Sequence, residues 1–331
     1  MSADRSILRD VATTAGVSLR TASRVLNDDP RVAATTRERV QRVMQDLRYT
    51  PDLMARSLRG GTDATIGLVV ESIADPFFAG LVEAVEEASS EQGRFVLVAS
   101  THGDEDREVQ VLRELLRRRV AGLLVAPTTG DHSWLKDATP ALVLVDRPAR
   151  GLDVDVVRID DRRAAYEAVS HLVAHGHRRI AYIGDYSDVV TSAARLAGYR
   201  QALADHGLPV QEHLVHADCP TAASAAAAMI TLLAEPDPPT AVFSAATRCS
   251  LGVVPTMHRQ GRTDIALVGF GDFAMADALD PAVTVVDHSG AAVGRQAAAR
   301  LLHRIQEPEL APDTLHVPVG LIQRGSGELT P

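Results

Sequence analysis

Two guanidinium groups and three hydroxyls crowd the stretch VSLRTASRVLND at residues 17–28. Arg20 and Arg24 are four apart, so on a helix they share one face. Ser18, Thr21, Ser23 and Asn27 lie close by, and Leu19 sits between them. Forked guanidinium donors match guanine edges and phosphate oxygens, and short hydroxyl or amide side chains let a backbone approach such a surface closely. An ordinary helical bundle with a polar face is the bland alternative, and a charge run alone would not exclude it.

The elements around this strip decide. Apolar residues fall at 7, 8, 11, 12 and 15, the spacing of an amphipathic helix over Ile7 to Ala15. Gly16 can take the left-handed conformation that ends a helix, Val17 plugs the turn, and Ser18 is a good N-cap for the next helix. In that helix Ala22, Val25 and Leu26 form the inward stripe. Thr35 and Glu38 have capping-box spacing and announce a third helix with the stripe Val40, Val43, Met44 and Leu47. Helix, tight turn and helix is the pattern whose second helix enters a DNA major groove. Charge agrees: residues 1–60 carry eleven arginines against seven acids, net +4, whereas the other 271 carry 23 bases against 36 acids, net −13. A basic head on an acidic body suits a polyanion partner.

With 331 residues and 46% hydrophobic side chains the chain suits two or three domains. It has no apolar run near 18 residues, so a membrane span is not expected. The polar, acid-bearing start MSADRSILRD does not read as a secretory signal. Cys219 and Cys249 make neither a disulfide framework nor a metal spacing, which reads as reduced thiols in a cytoplasmic protein.

Beyond residue 64, β-rich apolar runs at 65–70, 94–100, 120–127, 141–146, 178–184, 241–245 and 265–271 alternate with helical stretches at 79–92, 105–118, 162–175, 192–206, 221–234 and 289–306. Alternation of this kind argues parallel sheets with right-handed crossovers, and so many elements argue two lobes.

The run ILRDVATTAGVSLRTASRVLND resembles the opening of the lactose-repressor (LacI) family of transcription regulators. The stretches IGLVVESIADPFFAGLVEAVEEASSEQG, LVDRP, HLVAHGHRRIAYIG and RLAGYRQALADHGL resemble that family's body, so the resemblance covers essentially the whole chain. It implies an α/β protein: an N-terminal all-α helix-turn-helix headpiece and a two-lobed, periplasmic-binding-protein-like body of parallel βα sheets. The expected domains are 1–50 for DNA binding, 51–62 as a hinge helix or linker, and 63–331 for effector binding and dimerisation. Its N-lobe is placed at about 63–160 and 291–318 and its C-lobe at about 163–288 and 320–331, with crossings near 160–163, 287–291 and 317–321.

The segment RYTPDLMARSLRGG reads by itself as a flexible linker or one short helix that cannot be stable alone. The resemblance implies that it folds on DNA beside its copy, with Leu58 wedged between base pairs and Arg56 and Arg59 near phosphates. Tyr49 and Ala55 join Ser18, Leu19, Arg20, Thr21, Ser23, Arg24 and Asn27 in the implied DNA-contact set.

For the cleft, the resemblance implies effector contacts from Phe77, Phe78, Asp146, Arg147, Thr191, Arg195, Asp272 and His288. Phe77 or Phe78 could instead pack a helix cap, and Arg147 could be an interlobe ion pair. The chain departs from the family where an Ala-Asn-Asp is common, having Ala246 and Thr247, and at Gly269-Phe270-Gly271-Asp272, where the first acid is missing. An aromatic is replaced near Cys219, and His288 stands where glutamine is frequent. A site short of carboxylates and amides is a poor clamp for a plain hexose, so the effector is expected to be another sugar-like or metabolite ligand, or the pocket degenerate.

No GxSxG, HExxH or paired CxxC occurs. GFGDFA at 269–274 fits a dinucleotide fingerprint on paper, but Asp280-Pro281 follows before any full helix. His175 and His177 lack a metal partner and suit a helix C-terminus. No catalytic residue, metal or cofactor is therefore assigned. The expectation is a cytoplasmic, effector-controlled repressor that binds a palindromic, double-stranded operator as a homodimer and touches no membrane. With no leucine-heptad tail after residue 310, dimers and not tetramers are expected. A solute-binding protein or a cleft enzyme on the same fold is the alternative.

Overall fold

The computed structural model describes residues 8–26, 29–47, 49, 65–136 and 140–331. It divides into two compact units, Met1–Asp63 and Ala64–Pro331.

In the first unit α1 (Leu8–Thr14), α2 (Leu19–Leu26) and α3 (Ala34–Asp46) pack on one small core of Val11, Ala15, Val25 and Val40. Gly16 has φ 62°, and the Val17 N–H reaches the Ala12 carbonyl at 2.9 Å, which closes α1 as a left-handed C-cap and turns the chain into α2. Ser18 Oγ accepts the Thr21 N–H at 3.1 Å, the expected N-cap. Ala22 and Val25 are buried and Leu26 is half-buried. The capping box does not form. The N-cap is Ala33, without a side-chain bond, and its carbonyl already accepts the Arg37 N–H at 3.0 Å. Thr35 thus lies inside the helix and exposed, while Arg37 donates to the Asp29 carbonyl at 2.7 Å.

The second unit holds two six-stranded sheets. The first comprises β1 (Thr65–Val70), β2 (Phe95–Ser100), β3 (Gly122–Val125), β4 (Ala141–Val145), β5 (Asp155–Arg158) and β11 (Thr314–His316), in the order β11-β5-β4-β3-β1-β2. The second comprises β6 (Ile180–Ile183), β7 (Val215–His216), β8 (Ala241–Ser244), β9 (Ala266–Phe270), β10 (Thr284–Val286) and β12 (Leu321–Ile322), in the order β12-β10-β9-β8-β6-β7. All pairings are parallel except β10 with β12. Parallel neighbours need long crossovers, here helices on both faces, so the central strands are buried throughout.

Helices α4 (Pro76–Glu91), α5 (Glu105–Arg117) and α10 (Gly290–Gln306) flank the first sheet. Helices α6 (Asp161–Ala174), α7 (Val190–Asp205), α8 (Ala222–Leu233) and α9 (Thr247–Arg259) flank the second. The first turn of α10 lies so close to α4 that a Cβ on Gly290 would run into the Phe77 carbonyl. The chain passes between sheets after β5, β10 and β11, so each lobe is discontinuous in sequence. Asp155, fully buried on β5, ties the returning segment down: it accepts from Arg300 (2.8 Å), from Arg304 and from the Asp313 N–H (3.0 Å).

Several elements exceed the expectation. α4 starts at Pro76, a proline at the helix opening where its missing N–H costs nothing. Phe77 and Phe78 therefore sit in the first helical turn. α9 runs through Pro255, and β5, β7, β10, β11 and β12 are strands of two to four residues.

Candidate functional site

On the head, the polar strip falls on α2 as its sequence suggests. Arg20 is exposed and makes no ion pair among the described residues, and Leu19 is 40% exposed beside it. Ser23 and Arg24 are half-buried. Arg24 Nε lies 3.6 Å from Asp29 Oδ2, and the same carboxylate takes a two-pronged hydrogen bond from Arg31 (2.9 and 2.8 Å). That bond from Arg31 holds the Asp29 carboxyl far below the usual carboxylate range. The Ser18 and Thr21 hydroxyls meet at 2.9 Å and Ser18 also caps the helix, so Ser18 is committed to holding α2 as well as facing outward. Tyr49 packs half-buried against the small core. Asn27, Ala55, Arg56 and Leu58 lie outside the described residues, as does the expected hinge at 51–62.

In the body, the ends of β1, β4, β6 and β8 and the starts of α4, α7 and α9 converge on one cavity between the lobes. Its lining includes seven of the eight expected effector residues: Phe77, Phe78, Asp146, Arg147, Thr191, Arg195 and His288. Carboxyl ends of parallel strands are where such folds hold ligands.

Asp146 closes β4 in a tight three-residue turn, with φ 71° and the Arg147 N–H on the Val145 carbonyl at 2.8 Å. A left-handed non-glycine residue at a cleft is backbone strain retained by its surroundings. Its neighbour Arg147 pairs with Glu71 at 3.1 Å and with Asp146 at 3.3 Å. All three belong to the first lobe, so Arg147 is not an interlobe pair.

Arg195 is buried on α7. Its Nε donates to Asp161 at 2.8 Å, another nitrogen donates to the Ala245 carbonyl at 3.0 Å, and its guanidinium lies 3.9 Å from the Phe270 ring centre. Burial pushes the Asp161 carboxyl up to about 6 against the pull of Arg195. His288 stacks on Phe77 with ring centres 4.0 Å apart, and burial together with the Arg195 charge keeps its pKa well below the ordinary histidine range. Ala246 and Thr247 line the wall where amides and acids were looked for, and the Thr247 hydroxyl donates to the Phe270 carbonyl at 3.3 Å.

Asp272 is not brought to the cavity. It accepts the Arg324 guanidinium (2.8 Å) and the Phe273 N–H (2.9 Å), staples the chain near its C-terminal end to β9, and remains partly exposed. Cys219 lies in the core of the second lobe beside Cys249. His177 is buried between the Thr240 hydroxyl and the Leu329 carbonyl, both at 2.9 Å, and His175 caps α6; both are structural.

Several cleft residues escaped the sequence reading, Glu71, Asp75, Asp185 and Arg248 among them. Arg248, in the first turn of α9, contacts Glu71 at 2.7 Å, Asp75 at 3.5 Å and Asp185 at 3.2 Å. Glu71 and Asp75 follow β1 in the first lobe, whereas Asp185 follows β6 in the second. Only about 50 Å³ of free space remains in this inner chamber, well below the roughly 300–1,000 Å³ of ordinary ligand pockets. Two further cavities of about 220 and 460 Å³ adjoin it at Arg147 and Val189, walled by Thr128, Thr129 and Asp188.

A DNA-facing helix-turn-helix unit and a two-lobed ligand cleft define the class of effector-governed transcription regulators. Residues 7–52 match the bacterial regulatory proteins of the lacI family, and residues 63–325 match the periplasmic binding proteins and sugar binding domain of the LacI family. This chain belongs to the LacI family. It is 33% identical over 297 residues to the transcriptional regulator GalR of Escherichia coli (strain K12), covering 88% of this chain and 87% of GalR. The structure of a CelR–cellobiose complex superposes with a TM-score of 0.72 at 32% identity, covering 97% of this chain and all of that one. The lac repressor dimer bound to operator and an anti-inducer gives a TM-score of 0.87 at 26% identity, covering 98% and 99%. The protein is a DNA-binding transcription regulator and not an enzyme. No helix among the described residues is long and apolar enough to cross a membrane.

Proposed function

We propose that the protein is a cytoplasmic repressor that binds a palindromic operator as a homodimer, under control of a small molecule held between its lobes. The observation that carries this reading is the α2 surface: a helix fixed by Gly16 and Ser18 that presents Leu19, Arg20, Ser23 and Arg24 outward. In this reading α2 enters the major groove, Asn27 and Tyr49 extend its contacts, and Ala55, Arg56 and Leu58 meet the minor groove. The domains follow: 1–50 bind DNA, 51–62 couple, and 63–331 sense effector and dimerise.

A second copy of the chain has a surface to meet. β2 is an edge strand that exposes Phe95 (68%), Leu97 (41%) and Val98 (40%). An uncovered apolar edge invites association, and the lac repressor relative is a dimer. The effector reading rests on Phe77, Phe78, Asp146, Arg147, Thr191, Arg195 and His288 around one cavity. An electrophoretic shift with DNA from upstream of the protein's own coding region tests the whole: a sequence-selective complex that weakens steeply with salt is expected. Equal affinity for random DNA would refute it.

A further inference from the structure

We propose that Arg248 is an internal ligand: it draws the two lobes together by itself, and an effector acts by taking its carboxylate partners away. The effector clause rests on the function proposed above; the closure clause does not.

The geometry is specific to this side chain. Asp185 of its own lobe holds Arg248 Nε at 3.2 Å and aims the rest of the guanidinium across the cleft. The far nitrogen then meets Glu71 at 2.7 Å and Asp75 at 3.5 Å on the opposite lobe. Guanidinium suits this task because its planar fork presents donors on two edges at once. The group is three-quarters buried, so the pairs are shielded from salt more than surface pairs are. The remaining charges of the chamber are matched within one lobe: Arg147 with Glu71 and Asp146, Arg195 with Asp161. Among the described cleft residues, Arg248 is therefore the cation that connects the two lobes.

Its position also sets what can replace it. An incoming ligand must satisfy Glu71, Asp75 and Asp185, which are acceptors only, with Asp146 also near. Hydroxyl and ammonium groups do so; a carboxylate or phosphate at this end would face like charge. Displacing the side chain also frees volume in a chamber otherwise too small for a sugar-sized molecule. The effector class is thus a donor-rich, non-anionic molecule such as a polyol or an amine-bearing sugar.

Interlobe distance reads the proposal directly. Spin labels on Ile73→Cys and Tyr186→Cys sit on exposed residues of opposite lobes, while Cys219 and Cys249 are buried and escape labelling. With labelled protomers diluted in unlabelled protein, the parent chain should show a dominant short distance without any added ligand. Arg248→Ala should lose that population, Arg248→Gln should lose most of it, and methylguanidinium chloride should restore it in Arg248→Ala by refitting the gap. Inorganic phosphate should not open the parent chain. A short population that persists in Arg248→Ala, or does not return with methylguanidinium, would overturn the closure clause; opening by phosphate would overturn the charge argument. None of these readings needs DNA or effector, so the regulator assignment can fail without touching them.

Discussion

His132 offers a test in which sign, size and pH dependence all follow from geometry. Its Nδ1 faces the Gly130 carbonyl at 2.9 Å and its Nε2 faces the Glu108 carboxylate at 3.1 Å. With Glu108 as a carboxylate both partners accept, so a ring that donates to both is an imidazolium. Burial by itself would lower its pKa, but the hydrogen bond and charge of the buried Glu108 outweigh burial and raise it. The pair underpins the cleft wall, because Glu108 also receives the Thr128 N–H at 3.1 Å. His132→Leu removes two hydrogen bonds donated by the charged ring, one to the Glu108 carboxylate of about 1.5–3 kcal/mol and one to the Gly130 carbonyl of about 1.5 kcal/mol, while Thr128 still serves Glu108. A loss near 3 kcal/mol is expected at pH 6, several degrees in melting temperature. A raised histidine pKa gives stability that is complete below the unfolded value near 6.5 and disappears as pH rises through the folded value. Melting curves of both chains at pH 6 and pH 9 should therefore show a gap that narrows at pH 9. His177 and His288 titrate with the opposite sign in both chains and cancel in the difference. A gap of equal size at the two pH values would mean a neutral ring and would refute the argument.

Four further outcomes are expected. Arg20→Ala and Arg24→Ala should each weaken operator binding by about 1–3 kcal/mol if they pair with base edges; filter binding on operator and random DNA separates that from a phosphate role, which lowers both alike. Arg195→Ala strands the buried Asp161 carboxylate and should destabilise by about 3–5 kcal/mol at pH 8, with a smaller loss at pH 5, where Asp161 takes a proton; denaturant titration at the two pH values checks it. Asp155→Ala leaves Arg300 and Arg304 without their shared acceptor and should lower stability by about 3 kcal/mol or more, as thermal unfolding would show. Phe95→Asp puts a charge on the exposed β2 edge and should shift sedimentation from dimer toward monomer.

The head was legible because its instructions are local. Gly16 and Ser18 act within three residues, and an apolar stripe states which face turns inward. Thr35 misled because its spacing fits a capping box whatever the backbone does, and Ala33 had already begun the helix. In the body, buried strands such as TIGLVV declare themselves, whereas β7 and β12 are two residues long and exist only through their neighbours. Pro255 and Gly252 hid α9, and with it Arg248, whose partners at 71, 75 and 185 are distant in sequence. Asp272 was misassigned for the same reason, its arginine lying 52 residues further on. Side chains that owe their role to long-range pairing leave no periodic trace.

The pairing of β11 with β5 has a consequence for how the protein is made. Leu315 lies beside Val157, and among the described residues Asp155 accepts from Arg300, Arg304 and the Asp313 N–H. During synthesis the three-helix head can mature early, since its elements lie within residues 8–49. The first lobe must instead wait, one sheet edge bare and one carboxylate unmet, until ribosomes have delivered nearly the whole polypeptide. A nascent chain that stalls before residue 314 would thus carry a folded three-helix head on an unfinished, adhesive sheet.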